Sequence, residues 1–132
     1  MKRFSSDYLW PVLIVLSIFL ASGQSQIATP DFKFSADKLA HFAVFGALAT
    51  SLIRLKAFYR KGWKGVLQVW VLIAFYGAMD EWRQSFTPGR SVEFDDWLAD
   101  VFGAAVAVCL YRAWPWYRRL LEMRPTASIR ET

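Results

Sequence analysis

Acidic, basic and imidazole side chains recur at helical spacing in three short stretches of this 132-residue chain, and they are the groups with chemistry to offer. The first stretch holds Asp37, Lys38 and His41; the second Asp80, Glu81 and Gln84, with Arg90 just past the Pro88-Gly89 turn; the third Asp96 and Asp100. Asp37 lies one helical turn before His41, a pairing that orients an imidazole and favours its protonation. With Glu81 as the other partner, His41 and Asp37 form a candidate acid–base set. Lys38, Gln84, Arg90 and Asp80 form a candidate binding set, because a guanidinium suits bidentate contact with phosphate. Glu81, Asp96 and Asp100 offer the carboxylate oxygens that Mg²⁺, Mn²⁺ or Ca²⁺ take. One histidine and a remote Cys109, read here as a packing residue, argue against zinc.

These groups sit at the edges of strongly apolar runs. The chain is 55% hydrophobic, with mean hydropathy +0.23, and its apolar residues are gathered into blocks. A soluble domain of this length would have to expose much of that content, so lipid is the solvent the pattern asks for. The expected fold is all-α: a membrane bundle of four transmembrane helices over about 6–23, 36–55, 66–81 and 96–111, forming one domain over 1–111 with a basic tail over 112–132. Ser35 is the expected cap of the second helix. Tryptophans near the block ends, with Tyr76 and Phe86, fit interfacial anchors.

The first apolar run, Tyr8 to Ala21, reads either as a cleaved signal segment or as a retained span. Its fourteen residues reach only ~21 Å at about 1.5 Å each, short of the ~30 Å hydrocarbon core. Retention is favoured, since the later spans are as short and need partners. Positive charge then sets orientation. Lys2, Arg3, the 54–64 loop and the tail carry most of the bases, leaving Lys33, Lys38, Arg83 and Arg90 for the opposite side. Both termini are therefore expected in the cytoplasm, with the polar stretches facing outward. The net charge of +5 is dispersed over loops and termini, without a basic helix or a nucleic-acid motif, so no nucleic-acid partner is expected.

Left unpaired in lipid, His41, Asp80, Glu81 and Asp100 would cost on the order of 10 kcal/mol. They are expected to converge on one shared site in which Lys38, Arg83 or Arg90 meets the acids, while Glu93 and Asp95 stay solvated. The stripe Asp96, Asp100, Gly103, Ala107 adds a small-residue packing seam at Gly103 and Ala107. Two functions compete for this site. One is binding or processing of an envelope lipid or lipid-linked phosphate headgroup. The other is a salt-bridged lock in a non-enzymatic accessory protein, and ion passage would need an oligomer of such short helices.

The order Asp37-Lys38-x-x-His41-Phe42, Asp80-Glu81-x-x-Gln84-x-Phe86-x-Pro88-Gly89-Arg90 and Asp96-x-x-Ala99-Asp100-x-x-Gly103 resembles the VanZ-like family of small bacterial integral membrane proteins. The likeness covers roughly residues 8 to 111. It implies an all-helical fold in the bacterial cytoplasmic membrane, with Asp37, Lys38, His41, Glu81, Gln84, Arg90, Asp96 and Asp100 on the family's polar positions. Asp100 stands where such proteins often have Asn, and Ala107 where a second Gly is common. The family is named for a protein linked to low-level teicoplanin resistance. The partners this implies are membrane lipid, a lipid-linked envelope precursor or a lipoglycopeptide.

Overall fold

The computed structural model describes residues 6–24 and 32–122, whose regular elements are all helices, with no strand among them. A short 3-10 turn, Ser6–Tyr8, leads into α1, Leu9–Ser22. Then follow α2 Phe32–Ile53, α3 Lys56–Tyr59, α4 Trp63–Gln84, α5 Phe94–Ala113 and α6 Pro115–Glu122. The four expected long helices are all present, and three outrun their expected limits. Helix α2 starts at Phe32, so Ser35 lies inside it and does not cap it. Helix α4 runs on through its polar end to Gln84, because Asp80, Glu81 and Gln84 are buried against neighbouring helices. The expected tail contributes α6, set at 96° to α5 where Pro115 interrupts the helix. Lys2, Arg3, Lys33's side chain and the tail from residue 123 lie outside what is described.

Helix α2 packs most extensively against α5, at a seam of small residues. A Cβ on Gly103 would fall onto the Phe42 carbonyl, and one on Gly46 would come 3.1 Å from the Gly103 oxygen and 3.6 Å from the Ala107 methyl. Backbones this close leave no room for side chains, which is the use of a small-residue stripe. Below the seam the core is apolar: Phe45, Leu48, Ala49 and Ile53 of α2 meet Val69 and Ile73 of α4 and Ala104, Val108 and Tyr111 of α5. The α3 turn lies on the start of α4, where Gly65 admits the Phe58 carbonyl.

Outside this apolar core, large apolar side chains are exposed while several carboxylates are buried. Leu20, Phe75 and Phe102 are each more than 60% exposed, while Asp80, Glu81, Asp96 and Asp100 are all under 10% exposed. Carboxylates are rarely buried this fully without partners, and continuous apolar surface of this extent marks a surface meant for something other than water. Cys109 is exposed on that outer face and does not pack in the core. By length and composition, Ala36–Ile53 of α2 is the one described helix apolar enough to cross a membrane, or one of two if the bent α5–α6 pair counts as a span. The charges at the ends of α4 and α5 lower those helices' mean hydropathy, and four of them, Asp80, Glu81, Asp96 and Asp100, are buried in the bundle.

Candidate functional site

Alternating chain direction brings the C-terminal ends of α1 and α4 together with the N-terminal ends of α2 and α5. All the polar stretches therefore meet at one pole. Lys38 of α2 bridges to α5: its Nζ lies 3.0 Å from Asp96 Oδ1 and 3.2 Å from Glu93 Oε2, with Asp95 at 4.0 Å. One turn deeper, His41 Nδ1 lies 2.8 Å from Asp100 Oδ1. Its Nε2 is 3.9 Å from Asp96 Oδ2, beyond hydrogen-bonding reach. Stacking on Phe45, 6.1 Å between centroids, fixes the ring plane.

From α4, Gln84 Nε2 donates to Asp80 Oδ2 at 3.0 Å, and its Oε1 accepts from Arg90 Nη1 at 2.9 Å. Arg90 reaches this position through a tight turn. Its N–H donates to the Thr87 carbonyl, Pro88 fixes the first central residue, and Gly89 takes φ +79°, which only glycine adopts without strain. The same loop returns Glu93, whose backbone N–H donates to Glu81 Oε2 at 3.2 Å. Gly77 leaves room for Asp100: a Cβ there would lie 2.8 Å from Oδ2. Trp97 secures the α4–α5 approach by donating to the Ala74 carbonyl at 2.9 Å.

The expected convergence is thus observed, with several partners exchanged. Asp100, not Asp37, makes the short bond that orients His41. Arg83 takes no acid: it donates to Phe19 O and, at 2.5 Å, to Ser22 Oγ, with its guanidinium over the Phe19 ring. Arg90 has no carboxylate within 4.0 Å among the described residues and reaches Asp80 only through Gln84. Glu93 is part of the network, whereas Asp95 remains largely exposed. Tyr76 is partly buried and donates to the Val15 carbonyl at 3.2 Å, while Trp82 and Phe86 stay exposed, edge to face. Reading the sequence missed the contribution of α1, whose Ser17 and Ser22 line the same cleft as His41, because serines give no signal in a run of apolar residues. Gly77 could have been found, four residues before Glu81 on the face turned to α5.

Between α1, α2 and α4 opens a cleft of about 250 Å³. Asp37, His41, Asp80, Gln84 and Arg90 line one part of it, and Ile18, Ala21, Ala40, Val44 and Phe45 line the rest. A model of the VanZ/LLP1 family matches residues 3–116. The chain belongs to the VanZ/LLP1 family. The matched VanZ/LLP1 region contains the whole polar network, the cleft and the α2–α5 seam, and ends where α6 begins. No curated protein and no solved structure matches the chain.

Proposed function

We propose that this VanZ/LLP1 protein is a multi-pass membrane protein whose cleft receives the headgroup of an envelope lipid or lipid-linked phosphate. The observation that carries this reading is the make-up of the cleft. A guanidinium with no carboxylate partner among the described residues, Arg90, and an imidazole, His41, stand beside an apolar trough, which is the complement of an anionic head on a hydrocarbon tail. Exposed apolar side chains on all four long helices support four spans, with α2, α4 and α5 shielding one another's charges. The basic 54–64 loop and α6 share the pole opposite the site, and by the positive-inside bias this supports a cleft on the outer side with both termini in the cytoplasm. His41 is the group at the cleft that can move a proton, with Asp37 beside it and Asp100 holding the ring. Tolerance of teicoplanin-type glycopeptides is the cellular phenotype this reading would be tried against.

Mass spectrometry that retains bound lipid tests it. Wild type is expected to carry phosphate-bearing lipids, and both Arg90→Ala and Ala40→Trp, which fills the trough without touching a charge, are expected to lose them. Equal retention in all three proteins would overturn the proposal. A second reading, a purely structural lock, is favoured by Lys38, which ties α2 to both Glu93 and Asp96. It requires that Lys38→Met with Asp96→Leu keeps cellular function while either change alone lowers stability.

A further inference from the structure

Behind the cleft, and reached from it through His41, lie two carboxylates that lipid binding does not use. Among the described residues, one donor atom each from His41, Glu81 and Asp100 lie within 4.8 Å of one another. Glu81 and Asp100 are 4% and 0% exposed, and each spends one oxygen on a protein partner: Glu81 Oε2 on the Glu93 amide, Asp100 Oδ1 on His41. Their other oxygens, Glu81 Oε1 and Asp100 Oδ2, are buried with no hydrogen-bond partner. Buried carboxylate oxygens are normally satisfied, and two orphans in one cluster call for a ligand. Acids also outnumber bases here. Asp80, Glu81 and Asp100 have no Lys or Arg within 4.0 Å among the described residues, and Lys38 is committed to Glu93 and Asp96.

We propose that His41, Glu81 and Asp100 bind a divalent metal ion of the Mn²⁺ type, an assignment independent of what occupies the cleft. Oxygen donors with one imidazole suit Mn²⁺ better than the all-oxygen cages of Ca²⁺ or the nitrogen- and sulfur-rich sites of zinc. The spacing fits. At metal–ligand distances of about 2.1 Å, neighbouring ligands sit roughly 3 Å apart and opposite ones roughly 4.2 Å apart. All three donor atoms lie within 4.8 Å of one another, so a shift of about half an ångström at most brings any pair of them into that range. The ion would satisfy both orphan oxygens and offset the acidic excess that the bundle otherwise buries.

The test uses the full chain in detergent, stripped with EDTA, dialysed and titrated with Mn²⁺ while the free-ion electron paramagnetic resonance signal is followed. One saturable equivalent is expected, with a raised Tm. Glu81→Gln, which keeps the shape of the side chain, and Asp100→Asn are each expected to weaken binding at least tenfold, and Arg118→Ala at the far pole to leave it unchanged. Absence of saturable binding, or unaltered binding in a folded Glu81→Gln protein, overturns the assignment, the second outcome pointing to exposed carboxylates or to a proton shared between Glu81 and Asp100.

Discussion

The two poles of the bundle handle charge in opposite ways. At the pole made by residues 37–41, 80–84 and 93–100, carboxylates are buried and held by hydrogen bonds from three helices. At the other pole, Arg54, Lys56, Arg60, Lys61 and Lys64 are exposed, and cations rest on aromatic faces. Arg112 and Arg118 lie 5.2 and 5.7 Å from the Tyr59 ring centroid, and Trp114 and Trp116 stand outward on the first turns of α6. Burying an ion costs several kcal/mol before any partner repays it, whereas a cation over a ring keeps much of its hydration. The basic pole therefore asks little of the fold and suits an anionic membrane surface. The acidic pole is demanding, and a fold carries such a burden for a site or for a lock.

Three substitutions sharpen this contrast, and thermal unfolding in detergent measures each. Asp100→Ala removes, from a fully buried position, the one hydrogen-bond partner that His41 Nδ1 has among the described residues. It is expected to cost about 3–5 kcal/mol. A Tm within error of wild type would mean that the acidic pole is as undemanding as the basic one. Gly103→Ala drives a methyl group into the Phe42 carbonyl and parts α2 from α5. A loss of about 1–3 kcal/mol is expected, together with weaker His41–Asp100 pairing, because the seam and the pair share the same two helices. Arg118→Ala should cost no more than about 0.5–1 kcal/mol. A larger loss would show that the basic pole is structural too.

Much of the site was legible because helical spacing is a local property. Asp96, Asp100, Gly103 and Ala107 fall on one stripe whatever surrounds them, and the structure turns that stripe to α2. Small residues and carboxylates on the same stripe had to face the bundle together. Partner choice was less legible. Asp37 is one turn from His41 in the chain, yet Asp100, 59 residues away, makes the bond, because α5 crosses α2 at that depth. Arg83 and Arg90 are interchangeable by composition. The direction of α4 points Arg83 at the end of α1, and a glycine-dependent turn brings Arg90 back over Gln84.

The chain's own order of residues determined its helices, their apolar outer faces, the gathering of acids at one set of helix ends and of bases at the other, and the small-residue seam. Each follows from periodicity or composition within one segment. Only the tertiary structure decided which carboxylate holds His41, which arginine borders the cleft, that Glu93 joins the network, and that Glu81 and Asp100 each keep a buried oxygen unspent. Those outcomes depend on the crossing depth of helices distant in sequence. Such depths are set by backbone contact at Gly46 and Gly103 and by the fit of the Asp100 and Trp97 side chains against Gly77, and no single segment contains that information.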